Sequence, residues 1–107
     1  MYETKKIVAA VCHGPVALLN VKLSNGEFLI KEQMIAAFTN EEEDAMKRRT
    51  IVPFTCEDRT KANGGYHRSA GVFQPCVAAS GRIITGQNPP SATPTAEAVI
   101  KAFMTRR

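Results

Sequence analysis

Apolar and polar positions fall into blocks that read alternately as strand and helix. Ile7 to Val11 is an unbroken apolar run with the length and branching of a strand buried on both faces, and it stops at Cys12-His13-Gly14-Pro15. Proline lacks the ladder donor and suits the first turn of a helix, so the chain turns from strand to a short helix over Pro15 to Leu19. Ser24-Asn25-Gly26 then marks a tight turn between Val21-Lys22-Leu23 and Glu27 to Ile30, a small hairpin.

Met34 to Phe38 is the next apolar strand. It runs into Thr39-Asn40-Glu41-Glu42-Glu43-Asp44, where either Thr39 with Glu42 or Asn40 with Glu43 has the spacing of a capping box, so a helix starts here with acids in its first turn. Ile51-Val52-Pro53-Phe54 is a tight apolar link, and a second helix begins near Thr55, with Asp58 three residues on, and stops at Asn63-Gly64-Gly65. Tyr66 to Ser69, Cys76 to Ala79 and Arg82 to Thr85 read as short strands, the last two joined across Ser80-Gly81. A closing helix follows Gly86 to Ser91, with Ser91 as its N-cap and Pro94 among its first residues. Ala96, Val99, Ile100 and Phe103 fall at i, i+3, i+4 and i+7, a stripe fit to cover a sheet. Strands alternating with helices predict a three-layer α/β arrangement.

Composition narrows the class. The 107 residues make one domain, residues 1–107, of ordinary soluble character at 44% hydrophobic content. No apolar stretch reaches membrane-spanning length and the first residues lack a signal peptide's apolar segment, so a cytoplasmic protein with no membrane partner is expected. The net charge of +4 comes with acids interleaved through much of the chain. Basic residues cluster only at Lys47-Arg48-Arg49 and Arg106-Arg107, without aromatic interleaving, which reads as solvated helix ends and not as a nucleic-acid surface.

Three cysteines without paired spacing, Cys12, Cys56 and Cys76, indicate neither a disulfide framework nor a zinc site. At the apex of the strand-to-helix turn Cys12 has the placement of a nucleophile elbow, with Ala9, Ala10 and Gly14 making room. A helix N-terminus there would stabilise a thiolate and an oxyanion, so a reactive Cys12 is expected, set against the plain alternative of a small buried hydrophobe. Cys56 beside Glu57 and Asp58, and Cys76 in a strand, read as structural, and His67 reads as a surface residue.

Three blocks in order, Val-Ala-Ala-Val-Cys12-His13-Gly14-Pro15, Ala37-Phe38-Thr39-Asn40-Glu41-Glu42-Glu43 and Gly81-Arg82-Ile83-Ile84-Thr85-Gly86-Gln87-Asn88-Pro89, resemble the ThiJ/PfpI superfamily of class I glutamine amidotransferase-like proteins. They are most similar to its chaperone-like glyoxalase III branch, over about Lys6 to Phe103. The resemblance implies a partial flavodoxin-like three-layer sandwich with a mainly parallel sheet. It implies Cys12 as nucleophile, His13 as its base or orienting partner, and Glu43 as the carboxylate that positions the histidine, with Glu42 as the alternative. Gly14 would serve the elbow, its backbone or that of His13 supplying an oxyanion donor, with Gly86 to Pro89 as a supporting loop. No cofactor, metal or glutathione is implied. The substrate would be a small dicarbonyl such as methylglyoxal, and deglycation, peptide hydrolysis and holdase behaviour are related activities.

The resemblance covers only the C-terminal half of the family domain, which implies a truncated reading frame or a piece of a longer protein. Met1-Tyr2-Glu3 resembles the interior of a preceding helix, Lys47-Arg48-Arg49 stands where relatives are usually uncharged, and Cys76 where a histidine is common. A buried parallel strand such as Ile7 to Val11 expects neighbours on both sides, so the edge should be sticky unless a second copy or a separate N-terminal half covers it. Two functions follow: a Cys-dependent glyoxalase III or deglycase-like enzyme, weak or inactive as this chain alone, or an inactive remnant acting as a chaperone-like or oligomer-forming module. Glutamine amidotransferase chemistry fits less well, because its His-x-Glu arrangement near the chain's end is absent.

Overall fold

Local signals place most of the elements. In the computed structural model, which describes residues 6–47 and 53–105, Thr39 caps α2 (Asn40–Ala45). Its hydroxyl accepts from the Glu42 N–H at 3.1 Å while the Glu42 carboxylate accepts from the Thr39 N–H at 3.0 Å. Of the two capping registers the acidic run allows, this is the one adopted. Thr55 caps α3 (Cys56–Ala62) by accepting from the Asp58 N–H at 3.2 Å, and Asn63 with Gly64 at φ +89° ends it. Met1-Tyr2-Glu3, Arg48-Arg49, Ile51-Val52 and Arg106-Arg107 lie outside the described residues.

β1 (Val8–Val11) runs parallel to β5 (Ile83–Gly86), from Val8 opposite Ile83 to Val11 opposite Gly86. β4 (Val77–Ser80) pairs antiparallel with β5 across a turn that places Gly81 at φ +58°, giving the order β1-β5-β4. β2 (Met34–Ala36) pairs parallel with β3 (Tyr66–Arg68) in a second small sheet. The two sheets are tied where the Ala36 N–H donates to the Thr85 hydroxyl at 2.8 Å and the Phe38 N–H donates to the Cys12 carbonyl at 3.1 Å. The architecture is α/β with mixed, mostly parallel pairing, consistent with a flavodoxin-like sandwich. The expected hairpin is reduced to one antiparallel bridge, Lys22 to Phe28, over Gly26 at φ +86°. Among the described residues no helix is long and apolar enough to cross a membrane.

The core lies between α1 (Val16–Leu19), α3 and the strands, where Leu19, Ile30, Ile35 and Ile83 are fully buried. Each contributes about 1.5–3 kcal/mol relative to exposure.

Three expectations are corrected. β1 is half-exposed rather than buried on both faces, since it is an end strand of its sheet. The stripe on α4 (Ala92–Thr105) does not cover a sheet over its whole length: Ala96 is exposed, Val99 half-buried, and Ile100 and Phe103 are 59% and 71% exposed. Among the described residues the three-stranded sheet ends at β1 and offers these side chains nothing further to pack on. Ser91 is no N-cap of α4; it closes a 3₁₀ turn (Pro89–Ser91) that runs directly into the helix, and its buried hydroxyl turns inward.

Candidate active site

Cys12 follows the last residue of β1 and carries φ +63°, a left-handed backbone that a non-glycine residue adopts only when its surroundings impose it. Three bonds impose it here. The Cys12 N–H donates to the Gly86 carbonyl at 2.8 Å, the Cys12 carbonyl accepts from Phe38, and the Gly14 N–H donates to the Val11 carbonyl at 2.8 Å. A Cβ on Gly14 would lie 2.9 Å from the Val11 carbonyl oxygen, so the turn needs glycine for space. α1 follows as a single turn behind Pro15.

His13 is held from two sides. Its Nε2 lies 2.9 Å from Glu43 Oε2, and its ring rests on Phe38 with centroids 4.3 Å apart. Glu43 comes from the first turn of α2 and is 1% exposed, so the capping box at Thr39 aims it into the interior. A carboxylate only accepts, so Nε2 carries a ring proton, and in the neutral imidazole Nδ1 is then an acceptor toward the Cys12 thiol, Sγ to Nδ1 3.6 Å. Glu43 Oε1 is buried and without a partner among the described residues.

Glu42, the other candidate, directs its bonds to Thr39, Phe73 and Asn88. It is fully buried, and its Oε2 accepts from the Phe73 N–H at 2.9 Å and from Asn88 Nδ2 at 2.6 Å. Burial alone would raise its pKa, but the bonds from Thr39, Asn88, Gln87 and Phe73 outweigh it and the carboxyl is held below its ordinary value.

The Cys12 thiol is pushed up, first by burial and then by the charges of Glu42 and Glu43, with only the His13 backbone N–H pulling the other way. This reverses the expected thiolate stabilisation, because a four-residue helix supplies little dipole and two carboxylates stand close. Cys56 is buried in the core and pushed up to about 12, by burial and then by Glu43 and Cys12. Cys76 is half-buried just ahead of β4.

His67 is not a surface residue. It is half-buried on β3, with Nε2 3.0 Å from the Ala37 carbonyl, and its pKa is lowered chiefly by burial. The unfolded chain therefore takes up this proton more readily, and stability should fall as pH drops through the ordinary histidine range near 6.5. Urea midpoints measured between about pH 7.5 and 5.5, above the carboxylate range, should decline, and decline less in His67→Gln.

Among the described residues no group of three His, Cys, Asp or Glu side chains could hold a metal ion. Sequence reasoning gave no role to Phe38, which lies under the His13 ring, and named Gln87 and Asn88 only as part of a supporting loop, whereas both amides are fully buried.

No family model matches the chain. Glyoxalase 3 of Candida albicans is 36% identical over 110 residues, which is 96% of this chain and 46% of that protein. Glutathione-independent glyoxalase HSP31 of Saccharomyces cerevisiae is 33% identical, with 96% of this chain and 46% of that protein covered. The chain spans about half the length of the curated relatives it matches. Among solved structures, the Rapid Encystment Protein of Francisella tularensis superposes with a TM-score of 0.92 at 38% identity, covering 94% of this chain and 45% of that one. Glyoxalase III of Candida albicans superposes with a TM-score of 0.89 at 36% identity, covering 94% and 45%. At these identities, with the same backbone under nearly every described residue, the chain belongs to the ThiJ/PfpI superfamily, in its glyoxalase III/DJ-1-like branch.

Proposed function

We propose that Cys12 is the nucleophile of a glutathione-independent glyoxalase reaction on small dicarbonyls of the methylglyoxal type, set on a nucleophile elbow. The observation that carries this reading is the chain of contacts from Cys12 Sγ to His13 Nδ1 and from His13 Nε2 to Glu43. As Sγ adds to the aldehyde carbon, His13 Nδ1 takes the thiol proton and Glu43 stabilises the imidazolium formed. The His13 imidazolium returns that proton to the hemithioacetal oxygen, and the freed imidazole then moves the carbon-bound hydrogen as a proton to the neighbouring carbon through an enediol. This gives a thioester, from which water releases the hydroxy acid and restores the thiol. Gly14 has its N–H committed to Val11, so of the two backbone donors the resemblance offers, the His13 N–H, which lies at the Cys12 thiol, is the one left for an oxyanion. A raised thiol pKa suits this sequence, since the thiolate forms as His13 removes the proton and need not stand free beforehand. Release of sugar-type adducts from proteins would use the same addition.

A second reading rests on β1. Its outer edge has no strand partner among the described residues, and between β1 and α4 runs an apolar groove of about 410 Å³, lined by Ala9, Ala10, Val11, Ala96, Val99 and Ile100. Such a surface favours a chain that works only when covered, by a separate N-terminal half or by a second copy, or one retained in the cytoplasm as a chaperone-like module.

Incubation of the purified chain with methylglyoxal, with lactate as the readout, separates the two. Slow lactate formation that Cys12→Ala abolishes is expected. Equal rates in the two proteins would remove the enzyme and leave the binding module.

A further inference from the structure

The loop over residues 70–76 is exposed along most of its length, yet it is held by side chains that are not. Gln87 accepts from the Ala70 N–H at 2.7 Å, Glu42 accepts from the Phe73 N–H at 2.9 Å, Asn88 donates to the Gln74 carbonyl at 2.8 Å, and Ser91 accepts from the Cys76 N–H at 2.9 Å. All four holders are fully buried, and they come from α2, the turn after β5 and the 3₁₀ turn. Asn88 links two of them, donating to Glu42 Oε2 and accepting from the Ser91 hydroxyl at 2.7 Å. Burying polar groups is unfavourable unless each is bonded, and these bonds bring little apolar surface out of water. Their effect is to fix the path of one loop.

The tip of that loop is Phe73, at φ +54°, a left-handed conformation that costs a bulky residue about 1–2 kcal/mol. The Glu42 carboxylate on its N–H holds it there. The Phe73 ring packs edge-on against Phe38 with centroids 6.0 Å apart, and Phe38 also carries the His13 ring at 4.3 Å. Phe73 remains 37% exposed and is joined through Phe38 to His13, the neighbour of Cys12.

We propose that Phe73 is a size-selecting wall of the site, positioned by Glu42, which admits short unbranched carbonyl compounds to Cys12 and turns away bulky ones. This rests on the reading of Cys12 as an accessible nucleophile. Glu42 is a positioning residue for this wall, acting through Phe73, while its charge on the Cys12 thiol bears on both reagents alike.

The test compares two thiol reagents of different size, iodoacetamide and N-(1-pyrenyl)maleimide, with the rate at Cys12 read by peptide mass. In Phe73→Ala the bulky reagent should gain about tenfold at Cys12, a barrier change of about 1.4 kcal/mol, while iodoacetamide changes less than about twofold. Glu42→Gln, which keeps the shape but removes the charge that anchors the loop, should shift the ratio in the same direction, and Phe73→Tyr should restore it. An altered ratio in Phe73→Ala that Phe73→Tyr does not restore would overturn selection by ring size, as would an unchanged ratio in Phe73→Ala with iodoacetamide still labelling Cys12. Failure of iodoacetamide to label wild-type Cys12 would overturn the nucleophile reading and the wall with it.

Discussion

Gly86→Ala should destabilise the chain by about 3 kcal/mol, the upper range for forcing an extra methyl into a packed interior. Gly86 is the last residue of β5, and a Cβ there would overlap the Thr95 hydroxyl of α4 and lie 3.0 Å from Ser91 Cβ. Both neighbours are buried, so relief requires α4 to move away from the end of the strand. That end is also where Gly86 accepts from the Cys12 N–H and pairs with Val11, so the strain enters the turn that presents the thiol. The Thr95 hydroxyl is buried without a partner among the described residues, which makes the clash removable at little cost. Urea denaturation of Gly86→Ala, Thr95→Ala and the double variant reads this directly. The double variant should recover most of the loss, a coupling of about 2 kcal/mol. Loss below about 0.5 kcal/mol in the single variant would mean that α4 is not seated as described.

Phe38→Ala should cost about 3–5 kcal/mol, since a ring that is 1% exposed leaves a cavity its neighbours fill only partly. Its consequence differs from that of a core truncation that touches neither the His13 nor the Phe73 ring, such as Leu19→Ala. Phe38 touches both His13 and Phe73, and its N–H bonds the Cys12 carbonyl, so the His13 ring loses the surface that sets its tilt. Under conditions where both variants remain folded, Phe38→Ala should slow Cys12 alkylation while Leu19→Ala leaves it near wild type. Equal rates in the two would show that the ring supports the fold and does nothing for the histidine.

The order and type of the elements were legible because their signals are local. The Thr39–Glu42 box, the Thr55 cap, the stop at Gly64 and the turn at Gly81 act within a few residues, and each element lies close to where those residues put it. What failed depends on partners distant in sequence. Periodicity identified the apolar face of α4, but whether a sheet extends far enough to cover Ile100 and Phe103 is decided by the position of β1 in strand order. The same edge position exposes β1, whose composition alone reads as doubly buried. His67 was misplaced because charged and polar neighbours in sequence conceal a contact with Ala37, thirty residues away. The convergence of Cys12, His13 and Glu43 came from resemblance, whereas the network of Glu42, Gln87, Asn88 and Ser91 became apparent only once the loop over residues 70–76 was folded against it.

Alkylation of the three cysteines by iodoacetamide across pH, followed by peptide mass in wild type and His13→Ala, probes the prepared thiol without depending on turnover. With His13 as base, Cys12 should react well ahead of the buried Cys56, and its rate between about pH 6.5 and 8 should fall at least tenfold in His13→Ala while Cys76 is unchanged. A Cys12 profile that is the same with and without the imidazole, or a Cys12 as silent as Cys56, would contradict it.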